Sequence, residues 1–312
     1  MGVALVFGAR GFLGRRVVEA LGAISGIDVV ESDVPNTVEA RSGESSRLLG
    51  LDLAAAPEAE IAAALARIRP SIVVDCAGRT AGSVDELARA NVATVERLLM
   101  GLLTLAVPPR LIHIGSAAEY GQQPYGVPVH ENAAAEPLGA YGISKLRATQ
   151  LVVGAAGRGE VDGVVLRVFN AVGPGMPAAT LAGAALARLR AALAAGSGEI
   201  EMGPLGTVRD FVDVRDIAAA VVAACVAPSL PGPIVNVGTG TAHTARDLVE
   251  ALAERVSYRG RIVEGAAGSE RSSDVPWMVA DVAVARDALG WSAVHDLDSI
   301  ADFVAGGAGR PR

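Results

Sequence analysis

The sequence predicts a doubly wound α/β fold, a Rossmann-like parallel sheet with a smaller carboxy-terminal lobe. Three observations carry that reading. Short β-branched runs alternate with alanine-rich stretches through the first half of the chain, the pattern of parallel strands joined by helical crossovers. The first run ends in Gly8-Ala9-Arg10-Gly11-Phe12-Leu13-Gly14, a glycine-rich turn that opens a helix. The alternation then stops at a glycine- and proline-rich stretch, 171–178.

Strand-like runs fall at 3–7, 28–32, 72–76, 110–115 and 163–168, and helical stretches near 12–22, 58–68, 84–104 and 140–156. Beyond 178 come a helix at about 180–195 and a short strand near 199–202. Arg209-Asp210-Phe211 then enters a helix at 214–227, and Ile234 to Val237 reads as one more buried strand. The expected division is a cofactor-binding sheet domain over 1–170, to which 211–240 returns. A second lobe is expected from 171–210 and 241–305, and a flexible tail over 306–312.

The 312 residues are 51% hydrophobic but only 4% aromatic, which suits helices packed closely on a sheet. A formal net charge of −7 argues against a general nucleic-acid binder, so basic groups facing an anion must be local. Cys76 and Cys225 lie in apolar runs without CxxC spacing and read as reduced core thiols of a cytoplasmic protein. The apolar stretches near 98–107 and 217–227 are too short to span a bilayer, and Gly2 to Phe7 reads as a strand, not a secretory signal. A soluble protein without a membrane partner is expected. His113, His130, His243 and His295 are scattered without ligand spacing, so no metal is expected. His113 reads as packed within its strand.

Glycines 8, 11 and 14 permit a tight turn and let backbone N–H groups approach a pyrophosphate at a helix N-terminus, although any glycine triplet can simply be a tight turn. Asp33 lies 19 residues after Gly14, at the exit of the second strand. There a carboxylate accepts from the ribose hydroxyls and repels a 2′-phosphate, so NAD is preferred, with NADP possible. Asp52 reads equally as a helix cap or as a loop residue near the adenine. Lys145 is the only lysine among 27 basic residues, and it follows Tyr141 by four. On a helix the two share a face. A neighbouring ammonium favours phenolate and makes tyrosine an acid-base catalyst.

Together these features resemble the extended short-chain dehydrogenase/reductase family, in its nucleotide-sugar branch, over nearly the whole chain. GxxGxxG is matched by Gly8, Gly11 and Gly14, and YxxxK by Tyr141 and Lys145. Ser116, in Gly115-Ser116-Ala117-Ala118-Glu119-Tyr120-Gly121, matches the triad serine, and Asn91 the asparagine of the central helix. Arg167 to Gly175 resembles RxFNxxGPG, and Arg209-Asp210-Phe211-Val212-Asp213-Val214 resembles the family's RDF segment. The resemblance implies Ser116, Tyr141 and Lys145 as catalytic residues. It implies Gly8, Gly11, Phe12, Leu13, Gly14, Asp33, Asp52, Leu53, Ala77 and Asn91 around NAD, together with Tyr141 and Lys145. It implies Asn170, Arg209 and Arg271 toward a nucleotide-diphosphate sugar. It also implies a homodimer through helices 84–104 and 140–156, whose apolar residues Leu98, Leu99, Leu102, Leu146, Leu151 and Val152 would serve equally as core.

Within the branch, sugar 4,6-dehydratases carry an acid pair where this chain has Ala117 and Ala118, and decarboxylases usually place glutamate at position 118. Glu119 could act only if the loop rearranged. The loop looks most like the GSSAEYG of GDP-6-deoxy-4-keto-hexose (GDP-6-deoxy-D-mannose type) reductases, and Arg271-Ser272-Ser273-Asp274-Val275-Pro276 resembles their RPSDVP. A 4-ketoreductase is therefore the first expectation, a 4-epimerase with tightly bound NAD the second, and a non-catalytic NAD-binding protein the third.

Overall fold

A computed structural model describes residues 2–34, 48–265 and 275–306. The first half runs β1 (Gly2–Phe7), α1 (Gly14–Gly22), β2 (Ile27–Asp33), β3 (Leu48–Gly50), α2 (Glu58–Ile68), β4 (Ile72–Asp75), α3 (Val84–Leu87), α4 (Thr94–Leu102), β5 (Arg110–Ser116), α5 (Ala140–Gly157) and β6 (Asp162–Val168). The second half runs β7 (Asn170–Val172), α6 (Leu181–Ala195), β8 (Glu199–Met202), β9 (Val208–Arg209), β10 (Phe211–Asp213), α7 (Val214–Val226), β11 (Ile234–Val237), β12 (His243–Thr244), α8 (Ala245–Arg255), β13 (Arg261–Glu264), β14 (Trp277–Met278), α9 (Ala283–Leu289) and α10 (Leu297–Gly306).

Seven strands form one sheet in the order β11-β6-β5-β4-β1-β2-β3, every pair parallel. This is a Rossmann-like sheet. The chain reverses direction across the sheet between β1 and β4, so the carboxyl ends of these two strands flank a crevice, the usual ligand position in such folds. Edge strand β3 is only three residues long, too short to show a period in sequence.

Two apolar layers cover the sheet. One holds Val17, Leu21, Ile217 and Val221 from α1 and α7, and the other Ile61, Leu65, Leu98, Leu102 and Val152 from α2, α4 and α5. Fully burying such side chains contributes roughly 1.5–3 kcal/mol each. A third core gathers Leu186, Leu189, Leu248, Leu252 and Ile300 from α6, α8 and α10. Ala285 and Trp291 belong instead to the layer with α1 and α7. Part of the 241–305 stretch expected in the lobe therefore packs beside the sheet, anchored by the Trp291 indole donating to the Asp216 carbonyl at 3.1 Å.

The expected helix at 84–104 is not uniform. A π-helical segment, Ala88–Ala93, separates α3 from α4, and such bulges re-aim side chains. Here it carries Asn91 into the interior. The apolar residues named for a dimer face are mostly core: Leu98, Leu99, Leu102 and Val152 are buried, while Leu146 and Leu151 are half-buried. The exposed apolar side chains of this region are Val84, Met100, Leu103 and Ile143. No described helix is long and apolar enough to cross a membrane. Both cysteines are free, and burial pushes the Cys225 thiol up to about 12.

Candidate active site

The glycine turn leaves β1 at the crevice. Gly8 adopts φ +66°, and a Cβ there would lie 2.8 Å from the Ala77 backbone nitrogen. A Cβ on Gly14 would fall 2.0 Å from the Gly8 carbonyl oxygen, so only glycine lets the turn close. No side chain caps α1 and its first turn holds no acid; the Arg15 and Arg16 N–H groups bond back to the Gly11 and Leu13 carbonyls, so the N–H groups of Phe12, Leu13 and Gly14 are the ones the turn can offer a ligand. Phe12 and Leu13 are half-buried, Leu13 against the α1/α7 layer. Asp33 is drawn over the turn by the Arg10 N–H, which donates to its Oδ2 at 2.9 Å, while the Val34 N–H donates to Oδ1 at 2.8 Å. A bare backbone cradle beside a carboxylate fits a dinucleotide, with pyrophosphate on the turn and a ribose diol at Asp33.

Asp52 and Leu53 have local uses. Asp52 Oδ1 accepts from the Ala54 N–H at 2.9 Å and tightens a turn ahead of α2. The Leu53 side chain is buried among Leu51, Ala56 and Ile61, which leaves its backbone as the part able to meet a ligand. Ala77 borders the crevice. Asn91 does not reach toward it: its Nδ2 donates to the Arg79 carbonyl at 3.0 Å and to Ser144 Oγ at 2.9 Å, and its Oδ1 accepts from the Arg79 N–H at 2.8 Å. Asn91 thus ties the loop after β4 to the helix bearing Tyr141.

Ser116 ends β5 and caps the short turn Ala117–Glu119; its Oγ accepts from the Ala118 N–H at 3.2 Å. Tyr141 and Lys145 lie one turn apart on α5. The start of α5 presses on the Ser116 loop, since a Cβ on Gly142 would lie 2.5 Å from the Ala118 carbonyl oxygen. That approach brings the helix carrying tyrosine and lysine onto the loop carrying serine. Tyr141 is half-buried and Lys145 buried. Burial lowers the Lys145 pKa, opposed chiefly by the charges of Glu119 and then Asp75.

Two buried networks around this set were not visible in sequence. Glu119 is fully buried: one oxygen accepts from the Ser116 N–H at 2.7 Å and the other from Arg167 Nε at 2.8 Å. Arg167 also lies over the Tyr120 ring, 4.3 Å from its centroid, and the Tyr120 hydroxyl donates to Asn236 Oδ1 at 2.6 Å. The second network is His113, which does lie within β5 but bonds Asp75 through Nδ1 at 2.8 Å and approaches Lys145 Nζ through Nε2 at 3.3 Å. The only signal in the sequence was a histidine inside an otherwise apolar strand run.

On the lobe side, Asn170 begins β7 and is exposed, its backbone paired with Asp210. Arg209 is buried between β12 and β14, with Nη1 donating to the Val208 carbonyl at 2.7 Å. Burial lowers its pKa to about 10. The adjacent Asp210 is a hub whose oxygens accept from the Thr239, Gly240 and Ala280 N–H groups and the Thr239 hydroxyl. Asp213 caps α7. Arg271 lies outside the described residues.

The sequence profile of the NAD dependent epimerase/dehydratase family matches residues 4–238. The dTDP-6-deoxy-L-talose 4-dehydrogenase (NAD(P)(+)) of Kitasatospora kifunensis is 41% identical over 289 residues, 92% of this chain and 89% of its own. A UDP-glucose 4-epimerase of Azospirillum brasilense is 31% identical over 325 residues, covering 95% of this chain and 89% of its own. Among solved structures, MoeE5 in complex with UDP-glucuronic acid and NAD is similar with a TM-score of 0.81 at 27% identity, over 97% of this chain and 98% of that one.

Proposed function

The chain belongs to the NAD dependent epimerase/dehydratase family, and within it we propose that this protein is a nucleotide-sugar 4-ketoreductase. It reduces an NDP-4-keto-6-deoxyhexose to the 6-deoxyhexose and oxidises the product in reverse. A 4-dehydrogenase and a 4-ketoreductase are one catalyst run in opposite directions, so the 41% identical relative supports this reading. The observation that carries it is the loop after β5. Ala117 and Ala118 cannot move a proton, and Glu119 is locked against Arg167. That loop offers one hydroxyl for a carbonyl oxygen and no acid for eliminating water, which disfavours dehydratase chemistry.

The glycine turn and Asp33 hold NAD, or NADP less readily, and the bound nicotinamide supplies or takes the hydride at C4. Ser116, whose oxygen already accepts a bond, has its hydroxyl proton left to donate to the substrate oxygen. Tyr141 gives that oxygen a proton as the carbonyl carbon gains hydride, and the resulting phenolate is stabilised by the Lys145 ammonium. Lys145 also holds the nicotinamide ribose. Arg209 remains charged near neutrality and meets the diphosphate with a planar fork suited to phosphate oxygens. Arg271 is assigned the same partner and Asn170 the sugar. The sheet residues 1–170 thus hold the cofactor and the lobe holds the sugar. Val84, Met100, Leu103 and Ile143 supply the face of a homodimer, and the free cysteines suit a cytoplasmic protein.

A 4-epimerase is the second reading, favoured by the 31% identical relative. The test is to mix purified protein with NADH or NADPH and GDP-, dTDP- and UDP-linked 4-keto-6-deoxyhexoses, following the reduced-nicotinamide absorbance. Stoichiometric oxidation that vanishes in Tyr141→Phe supports the ketoreductase. Interconversion of intact NDP-hexoses without net oxidation overturns it in favour of the epimerase.

A further inference from the structure

Asp75 and His113 are register partners on adjacent strands β4 and β5, each only 1% exposed. Together with Lys145, 5% exposed, they form a chain from carboxylate to imidazole to ammonium, with links of 2.8 Å and 3.3 Å. An ammonium can only donate, so the His113 Nε2 facing it must accept. A neutral ring then carries its proton on Nδ1 and donates it to Asp75 Oδ2. The other Asp75 oxygen accepts from the Ala77 N–H at 3.1 Å, which leaves the carboxylate oriented from both sides. Each donor in the chain thus meets an acceptor, with no proton missing or extra.

We infer that Asp75 and His113 are positioning residues for Lys145, the carboxylate fixing the Nδ1–H tautomer and the unprotonated Nε2 seating the ammonium one helical turn from Tyr141. Neither touches substrate. A lysine in this apolar interior is pulled toward its neutral form by burial; a directed acceptor backed by a carboxylate opposes that pull. The ionisable groups facing the pair are Asp75, Cys76 and Glu119 around Lys145, and Lys145, Asp75 and Glu119 around His113. Glu119 is already ion-paired with Arg167, whereas Asp75 bonds to His113 and a backbone N–H and reaches Lys145 through the imidazole. Asp75→Asn breaks the logic of the chain. Its carboxamide must keep oxygen toward the Ala77 N–H, which turns NH₂ toward His113 Nδ1 and forces the proton onto Nε2, against the ammonium.

The consequence for catalysis rests on the proposed role of Tyr141; the seating of Lys145 does not. Because Lys145 is the only lysine, lysine labelled with ¹³C at Cε gives one side-chain signal whose titration reports its pKa without substrate or cofactor. The expected result is a fall of about one unit or more, a tenfold change in protonation equilibrium, in His113→Leu and Asp75→Asn. His113→Gln, which can return an acceptor to the ammonium, retains most of the wild-type value. An unchanged Lys145 titration in His113→Leu overturns the inference. The ¹⁵N imidazole spectrum of the wild type, with four histidines in all, is the check if the leucine variant does not fold. A non-titrating Nδ1–H signal for His113 supports the chain, and an Nε2–H or imidazolium signal overturns it. Where the ketoreductase assay succeeds, the rate limb assigned to Tyr141 moves up in pH in His113→Leu. Where no nucleotide sugar is turned over, both spectra still read the same relationship, so the two failures are distinguishable.

Discussion

Arg167 Nε donates to Glu119 Oε2 across 2.8 Å, with the two side chains 3% and 0% exposed. The pair joins β6 to the loop carrying Ser116, and the second Glu119 oxygen holds the Ser116 N–H. Removing one partner of a buried pair strands the other charge. Glu119→Ala is therefore expected to cost about 3–5 kcal/mol, measured by denaturant unfolding. Lost turnover with unchanged stability would instead mark Glu119 as a proton carrier.

Tyr141→Phe keeps the ring and deletes the proton. Turnover of the 4-keto sugar should fall by about 10²–10⁴-fold, while NAD affinity measured by calorimetry stays within about threefold, a difference worth less than 1 kcal/mol. A comparable loss of NAD binding would mean that the hydroxyl acts mainly by holding the cofactor.

The glycine turn and Asp33 make separable claims. Gly14→Ala puts a methyl group 2.0 Å from the Gly8 carbonyl oxygen and should abolish detectable NAD binding. Asp33→Ser leaves the turn intact and removes the charge opposing a 2′-phosphate. The NADP-to-NAD ratio of kcat/KM should then rise about tenfold or more, equivalent to ~1.4 kcal/mol.

Burial, and next the Lys145 charge, lower the His113 pKa against the pull of Asp75 and Glu119. The unfolded chain therefore binds a proton near pH 6.5 that the folded chain resists. Stability is fully present above that pH and is lost as pH falls toward the folded value, with a slope of up to about 1.4 kcal/mol per pH unit. His113→Gln should show a shallower loss of thermal stability between pH 7 and pH 5 than the wild type. Equal slopes would mean that His113 takes up its proton over the same pH range in the folded and the unfolded chain.

Met100 and Leu103 are about half exposed at the end of α4. If they face a second copy, the double variant Met100→Glu, Leu103→Arg should be monomeric by light scattering and retain its circular dichroism. An unchanged mass, either monomeric or dimeric, removes these two residues from any interface.

The alternation of β-branched and alanine-rich segments was enough to read the parallel sheet, because burial on both faces forces strands into continuous apolar runs. The edge strand Leu48–Gly50 escaped, since three residues carry no period. The π-helical turn at Asn91 escaped too. Helical propensity does not distinguish one extra residue per turn, and only the bonds to Arg79 and Ser144 give that turn a partner.

Glycine spacing, Tyr141 with Lys145, and Ser116 were legible because each depends on local geometry: a turn, one helical turn, a strand end. By itself the sequence determined the fold class, the glycine turn and the types of residue gathered at the carboxyl ends of β1, β4 and β5. Tertiary structure alone decided which charges meet there. Asp75 and His113 are 38 residues apart in the chain, and Glu119 and Arg167 48 apart. Parallel pairing sets such residues side by side through crossovers whose length is not written in any local pattern. The same burial that joins them gives each contact its strength, because the charges interact out of water.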